Sequence, residues 1–348
     1  MTAPAARPVT LFTGQWYDVP LERIAADAAA WGYDGLEVDC GNHLDLVRAE
    51  EDPGYLDSFR ALLDRHGLGV WALSAHAAGN AVGTGAFDFR HADLLPGHIW
   101  GDGAAEGVRA RAAEAMKRAA RVARKLGVER VVGFSGSTIW PYVVGFPGVP
   151  DHVVDAGYED FARSWHPVLD VFDDEGVVFA HEPHPGELAF DYWTAHRTLE
   201  VLGHRRAFGF NWDPSHLMWQ GVDPVVFITD FADRIYHVDC KDTRLRPRDG
   251  RSGLLGSHLP WGDPRRAWNF VSVGHGDVPW EDAFRALTAA GYAGPISVEW
   301  EDMGMDRAHG AAEALAYVRS LQWPVPGGAP APAPEEKGTT QWPACPDR

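Results

Sequence analysis

The chain alternates between short apolar runs and longer amphipathic segments from near its amino end to about residue 321. The apolar runs predict strands, and the segments with apolar residues at helical spacing predict helices. The predicted strands are Val9–Phe12, Gly35–Asp39, Gly69–Ser74, Arg130–Phe134, Val177–Glu182, Ala207–Asp213, Arg234–Cys240 and Ile296–Glu299. The predicted helices are Leu21–Trp31, Tyr55–His66, Ala105–Leu126, Tyr158–Asp174, Tyr192–Leu202, Pro224–Ala232, Trp280–Ala290 and Arg307–Leu321. Eight strands therefore alternate with eight helices.

The connections between these elements differ in length according to their direction. Links from helix to strand are short and often contain glycine, as at Gly127 and Gly176. Links from strand to helix are long and rich in glycine, proline, histidine and tryptophan, notably Ala77–Gly103, Ser135–Gly157 and Thr243–Val278. A closed (β/α)8 barrel predicts this asymmetry because its active site is built from the loops that follow the strands.

We therefore predict an α/β protein with a single domain, a (β/α)8 TIM barrel with long βα loops, over residues 1–323. Residues 324–348 are rich in proline, glycine and alanine. Because a segment of this composition cannot bury a core, we expect a disordered tail. The competing architecture, a doubly wound open sheet, carries a glycine-rich turn after its first strand. No such turn follows Val9–Phe12, so no nucleotide cofactor is expected.

Charge and composition narrow the range of partners. The 348 residues include 31 basic and 49 acidic side chains, a formal net charge of -18, so nucleic acid is not an expected substrate. The sequence has no signal-peptide core and no apolar stretch of the roughly 18 to 20 residues that a membrane span needs. We expect a cytoplasmic protein without membrane contact. Cys40, Cys240 and Cys345 are far apart, which predicts neither a disulfide framework nor a thiolate zinc site.

Four acidic residues fall at the ends of the last four predicted strands. These are Glu182, Asp213, Asp239 and Glu299. In a barrel they would converge on one rim, where unpaired carboxylates repel one another unless a cation neutralises them. A bound divalent metal is the simplest way to neutralise the four carboxylates. Oxygen ligands with one nearby imidazole, His216, favour Mn2+, with Mg2+ and Co2+ next, while Zn2+ stays open.

The segments around these carboxylates resemble a known family, the xylose isomerase-like barrels of the sugar phosphate isomerase/epimerase superfamily, which also includes apurinic endonucleases. The resemblance extends from the first strand to about Leu321. It implies that Glu182, Asp213 and Glu299, with one group from the seventh strand, hold a metal. The most specific segments are His181–Glu187, Asn211–Leu217, His237–Asp242, Gly274–Trp280 and Ser297–Asp302.

The seventh strand departs from the pattern of many sugar epimerases, which have a ligand histidine where Asp239 stands. His237 lies on the same face of the strand but roughly 6.5 Å away along it, so one of the two residues is expected to reach the metal. We expect Asp239, nearer the strand end, with His237 one layer below. Four carboxylates and one divalent ion leave negative charge that needs a further cation. Lys241 is favoured over a second metal bridged by Asp213 and ligated by His216.

Further polar and aromatic residues fall in or beside the βα loops. The resemblance implies that His76 faces the substrate. Glu37 and His43 are interpreted as contacts to substrate hydroxyls, and His184 as a further substrate contact. Trp219 is one of several tryptophans that could stack on a sugar ring.

The leading functional hypothesis is a metal-dependent sugar or keto-sugar isomerase or epimerase that works through an enediolate. The resemblance implies that Glu182 and Glu299 act as base and acid on opposite faces of the substrate, with Lys241 a further catalytic candidate. The alternative is a lyase that cleaves oxidised O- or C-glycosides by β-elimination, with or without a small partner subunit. A homo-oligomer is also left open.

Two further readings are less favoured. The acidic charge opposes a DNA-repair endonuclease, and the fourth strand ends in Phe134 rather than in one of the histidines that a trinuclear zinc cluster requires. A non-catalytic sugar-binding barrel would not need a ring of carboxylates.

Overall fold

The structure is a computed structural model that describes residues 7–144, 146–246 and 250–323. Its strands are β1 Val9–Phe12, β2 Gly35–Asp39, β3 Gly69–Ser74, β4 Arg130–Gly133, β5 Val178–His181, β6 Phe208–Trp212, β7 Ile235–Cys240, β8 Asp242–Leu245, β9 Trp268–Val271 and β10 Ile296–Val298. The predicted tail, residues 324–348, lies outside the described residues.

Helices connect the strands and pack around them. They are α1 Leu21–Trp31, α2 Leu46–Glu51, α3 Pro53–Asp64, α4 His76–Gly83, α5 Phe89–Leu94, α6 Gly97–Trp100, α7 Ala105–Leu126, α8 Asp151–Glu175, α9 Tyr192–Val201, α10 Pro214–Gln220, α11 Pro224–Asp230, α12 Trp280–Ala289 and α13 Arg307–Ser320. None of the helices in the described ranges has the length and apolarity needed to cross a membrane.

Eight parallel strands close into a barrel in the order β1, β10, β7, β6, β5, β4, β3 and β2, which confirms the predicted TIM barrel. Strands such as β1 and β6 are buried along their whole length, since helices cover the outside and side chains fill the inside. The short returns were also predicted correctly. Helices α1, α7 and α8 end at Gly32, Gly127 and Gly176, whose φ angles of 99°, 75° and 65° suit glycine.

The barrel interior changes character along its axis. One layer is small and apolar, formed by Ala72, Val132 and Ala180. Nearer the carboxyl ends of the strands the buried interior residues are polar, and these include Thr10, Glu37, Ser74, Asn211, His237, Asp239 and Ser297. Burial of so many polar groups at one end marks that end as the place for chemistry.

The long βα connections contain more regular structure than the sequence pattern predicted. The segment Ala77–Gly103 holds α5, α6 and most of α4. Helix α4 lies close to the backbone after β4. The approach is so close that a Cβ atom at Gly79 would be 2.1 Å from the Phe134 carbonyl oxygen. The segment Thr243–Val278 was expected to be a loop, but it contains most of the antiparallel hairpin of β8 and β9, in which Asp242 pairs with Val271.

Candidate active site

The four predicted carboxylates converge at the carboxyl end of the barrel. Glu182 and Glu299 directly follow β5 and β10, and Asp239 lies in β7. Oxygens of these three residues lie within 4.8 Å of one another. Asp213 follows β6 and caps α10 by accepting a hydrogen bond of 2.8 Å from the amide of Ser215. Asp213, Glu182 and His216 form a second group within the same distance limit.

Three of these carboxylates each have an oxygen that is buried without a hydrogen-bond partner among the described residues. The atoms are Oδ2 of Asp213, Oδ1 of Asp239 and Oε2 of Glu299. An unsatisfied buried oxygen normally costs free energy, so three of them in one cluster call for an explanation. Two of these oxygens also face an imidazole, since His216 Nε2 lies 3.2 Å from Asp213 Oδ2 and His237 Nε2 lies 3.4 Å from Asp239 Oδ1. A divalent cation beside the cluster would give such oxygens a partner, and oxygen donors suit Mn2+ or Mg2+. The donor set therefore fits a metal ion.

The pKa values of the clustered carboxyl groups show that burial, and then neighbouring negative charge, disfavours their ionised forms. Burial raises the pKa of Glu182 and of Asp213 to about 7, and the charge of Glu299 adds to both shifts. Burial, together with the charge of Glu37, raises the pKa of Asp239 well above its usual range. A cation bound among these groups would reverse the shifts by favouring the charged forms.

Two cations of the chain contact the cluster. Lys241 Nζ donates a hydrogen bond of 2.8 Å to Glu299 Oε1 and lies 3.2 Å from Glu301 Oε2. Burial opposes ionisation of Glu299, but Lys241 outweighs it and lowers the pKa of Glu299. His76 Nε2 lies 3.1 Å from Glu182 Oε2, and despite burial this contact raises the pKa of His76 to about 9. Lys241 and His76 thus supply positive charge beside the carboxylates.

His237 and Glu37 form a buried pair next to Asp239. His237 Nε2 lies 2.8 Å from Glu37 Oε2 and 3.4 Å from Asp239 Oδ1, and the Ser74 hydroxyl donates to the other oxygen of Glu37. Burial opposes both charges, but the pair interaction lowers the pKa of Glu37 to about 2 and raises that of His237 to about 9. Glu37 is fully buried, so the structure does not bring this residue to the cavity as a substrate contact.

Two further residues that were predicted to contact the substrate, His43 and Trp219, contact other parts of the protein instead. The ring nitrogens of His43 lie 3.1 Å from Thr13 Oγ1 and 3.1 Å from the Val19 carbonyl oxygen, so both are engaged by protein groups. Trp219 stacks on Trp268 of β9, with ring centroids 4.6 Å apart, and neither ring lines the cavity at the carboxylates. These contacts join segments that are distant in sequence.

His216 and His184 lie side by side at the edge of the cluster. His216 Nε2 is 3.2 Å from Asp213 Oδ2 and 3.3 Å from Glu182 Oε1. The ring of His184 packs edge-on against it, with centroids 4.0 Å apart, and its Nδ1 is 2.7 Å from the Pro185 carbonyl oxygen. Burial lowers the pKa of both histidines, and the charge of Lys241 lowers that of His216 further. These shifts favour the neutral form of both rings.

The sequence pattern did not single out two polar residues that touch the carboxylates. Asn211 Nδ2 donates to Asp239 Oδ2 at 2.7 Å and to Glu182 Oε2 at 3.2 Å. Gln15 Nε2 donates to Glu299 Oε1 at 2.7 Å. Strand alternation could have revealed Asn211, since it is two residues before Asp213 on the same strand face. Gln15 follows β1 in a short turn and carries no comparable signal.

A cavity of about 450 Å³ opens at the carboxylates. Glu182, Glu299, Lys241 and His76 contribute its polar lining, and Phe12 is one of its apolar residues. A cavity of this size with a few convergent polar groups is typical of a small-molecule site.

Comparison with known proteins identifies the family. The model of the xylose isomerase-like TIM barrel matches residues 25–321. The chain belongs to this family. The uncharacterized protein YfiH of Bacillus subtilis is 28% identical over 321 residues, covering 86% of this chain and 95% of YfiH.

Solved structures share the fold. The 3-keto-D-glucoside 4-epimerase YcjR from E. coli matches with a TM-score of 0.63 and 16% identity, over 90% of this chain and 99% of that chain. The IolI protein with a bound zinc atom matches with a TM-score of 0.60 and 16% identity, over 90% and 96% of the two chains. At these identities the similarity establishes the barrel fold of this chain and leaves its chemistry to the site residues.

Proposed function

We propose that this protein is a divalent-metal-dependent isomerase or epimerase of sugars or keto-sugars. The observation that carries the proposal is that two sets of donors meet at Glu182, one with Asp239 and Glu299 and one with Asp213 and His216, and that the donor atoms of each set lie within 4.8 Å of one another. The four carboxylates would hold the ion, and their oxygen chemistry favours Mn2+. The zinc atom of the structurally similar IolI protein supports a metal in this barrel.

When bound, a divalent cation supplies positive charge that stabilises the negative charge developing on an enediolate. Proton transfer and the positioning of the reacting groups would be performed by side chains of the protein. Glu182 and Glu299 both line the cavity, so each can exchange a proton with a substrate carbon. His76 donates to Glu182 and Lys241 donates to Glu299, which holds the two carboxylates in place. Phe12 and Phe134 contribute apolar surface to the same cavity.

The name of one structural neighbour supports a sugar substrate. YcjR is described as a 3-keto-D-glucoside 4-epimerase, and its barrel superimposes along nearly the whole length of this chain. Epimerisation next to a carbonyl needs a base, an acid and stabilisation of the enediolate, and the residues named above offer all three.

The first test is transfer of deuterium from D2O into a panel of keto-sugars with Mn2+ present. The wild-type protein is expected to label at least one of them at the carbon next to the carbonyl, with no change of mass apart from the label. Labelling with release of a leaving group would instead indicate the β-eliminating lyase.

Glu182→Gln keeps the size of the side chain but cannot accept the proton. We expect it to lower the exchange rate by about 10³-fold while circular dichroism shows an intact fold. The control is Glu50→Gln, which alters a half-buried glutamate paired with Arg118 outside the cavity. Full activity of the Glu182→Gln variant would refute the assignment of Glu182.

A further inference from the structure

A second cavity adjoins the candidate active site. Its volume is about 690 Å³, and it is lined by residues that follow β3, β4 and β5. Both cavities are bordered by His76, Ala77, Leu94 and Phe134, so the two spaces meet beside the end of β4. Each is large enough for a small ligand group, since ligand pockets are typically about 300–1,000 Å³. The site therefore offers room for two connected groups.

Phe134 stands where the two cavities meet. Its ring centroid is 4.7 Å from that of His76 and 4.8 Å from that of His184. His76 contacts Glu182 in the first cavity, whereas His184 lines the second. A ligand that extends from one cavity into the other passes this apolar ring, and the passage suits an uncharged linkage.

The second cavity has two aromatic residues that the first lacks. Trp140 and Tyr142, in the segment between β4 and α8, line the second cavity and are absent from the first. Trp140 and Phe190 pack in a T-shaped arrangement at a centroid distance of 5.4 Å, while Tyr142 is 52% exposed. Aromatic faces of this kind stack on the apolar faces of sugar or aryl rings. The lining also includes neutral polar side chains, such as Asn80 and Ser137.

The charges around both cavities disfavour a phosphorylated ligand. Arg90 of the second cavity pairs with Asp88 at 2.6 Å, and Lys241 of the first pairs with Glu299. Among the described residues that line either cavity, no lysine or arginine lacks an acidic partner. The second cavity also contains the buried carboxylate of Glu187, which accepts a hydrogen bond of 2.7 Å from Asn80. A phosphate in the second cavity would have to compete for Arg90 and His76 with their partners Asp88 and Glu182.

We propose, on the basis of the function proposed above, that the second cavity binds the aglycone half of a neutral glycoside, which stays attached throughout the reaction. The substrate class is then a sugar joined through its glycosidic oxygen to a second uncharged ring. The sugar that reacts lies against Glu182 and Glu299, and the second ring lies against Trp140 and Tyr142. Free monosaccharides and sugar phosphates would use the first cavity alone.

Calorimetric titration of the full chain with Mn2+ present tests this inference. The probes are the phenyl β-D-glycosides of glucose, galactose and mannose, the disaccharide cellobiose, and the parent monosaccharides. At least one phenyl glycoside or cellobiose is expected to bind about tenfold more tightly than its parent sugar, which is the equivalent of one aromatic stacking contact. Tighter binding of phenyl glycosides than of cellobiose would identify an aryl group, and the opposite order a second sugar.

Two variants locate the effect. Trp140→Ala and Tyr142→Ala should each reduce the preference for the two-ring ligand to about twofold. Tyr142 is an exposed residue, so its replacement keeps the test valid if Trp140→Ala fails to fold. Trp193→Ala is the control, because this exposed tryptophan of α9 lines neither cavity. The preference should survive in the control.

Equal affinities for glycosides and parent sugars across the panel would overturn the inference, as would a tenfold preference that persists in both variants. Deuterium exchange separates this result from failure of the proposed function. If two-ring ligands bind as expected but no keto-sugar or 3-keto-glycoside takes up deuterium, the isomerase proposal fails and the second cavity stands as a ring-binding site.

Discussion

Asn211 shows how a single neutral residue supports the acidic cluster. Its amide group donates to Glu182 and to Asp239, so one side chain of β6 bridges two carboxylates from the strands on either side of it. Hydrogen bonds to a charged acceptor favour the charged form. Asn211 therefore helps to keep both residues ready for a cation, although burial opposes their ionisation.

Replacement of Asn211 by aspartate should make the fold depend on metal. The variant loses two donated hydrogen bonds and adds a like charge, so the free energy of unfolding of the metal-free protein is expected to fall by about 3 kcal/mol. Saturating Mn2+ should recover more stability in the variant than in the wild type, as measured by urea denaturation.

The matched control is Asn269→Asp, at a buried asparagine of β9 that bonds to Gly262 and to the Asp263 carbonyl instead of to the cluster. Mn2+ should raise the stability of that variant no more than it raises that of the wild type. An equal response to Mn2+ in Asn211→Asp and in the wild type would argue against a metal beside Asn211.

At the scale of elements, the alternation of the sequence was enough to predict the barrel. The eight barrel strands agree with the predicted ones to within a few residues, because buried parallel strands are marked by continuous apolar runs. The connecting helices agree less closely, since α8 was predicted over Tyr158–Asp174 and begins seven residues earlier, at Asp151. The predicted carboxylates meet because the strand ends share one rim. The roles of these residues as metal ligands remain predictions.

Contacts between loops could not be predicted in the same way. The hairpin of β8 and β9 pairs two segments that are more than twenty residues apart, and its strands are short. Trp219 was expected at the sugar, but it stacks on Trp268 in this hairpin. His43 is similarly bound by Thr13 and Val19 of the preceding βα segment. Tertiary contacts of this kind leave no periodic signal in the chain.

Helix α4 depends on close approach to the backbone after β4, and a small change should displace it. A Cβ atom at Gly79 would be 2.1 Å from the Phe134 carbonyl oxygen, so Gly79→Ala must push the helix away. His76 begins this helix, so its contact with Glu182 should weaken. We expect a loss of stability of about 1–3 kcal/mol and a fall in kcat larger than that stability change explains.

Gly97→Ala is the control for this prediction. Gly97 begins α6, and a Cβ atom there meets nothing within 4 Å. The control should keep both its melting temperature and its exchange activity within experimental error of the wild type. Unchanged activity in Gly79→Ala would show that the position of α4 does not matter for His76.

For the whole molecule, metal binding and folding should be linked. The four carboxylates repel one another at the carboxyl end of the barrel, and this repulsion destabilises the folded state. An ion that binds only the folded state therefore stabilises the protein. Mn2+ at one hundred times its dissociation constant should add about 2.7 kcal/mol to the free energy of unfolding. Treatment with EDTA should lower the melting temperature, and KCl added to the same ionic strength serves as the control for screening.

An anomalous difference map from crystals grown with Mn2+ tests the proposed metal site most directly. We expect one strong manganese peak within about 2.0 to 2.6 Å of carboxylate oxygens from Glu182, Asp213, Asp239 and Glu299. Absence of a peak at saturating Mn2+, or a peak held by other residues while these four carboxylates stay unliganded, would contradict the proposed site.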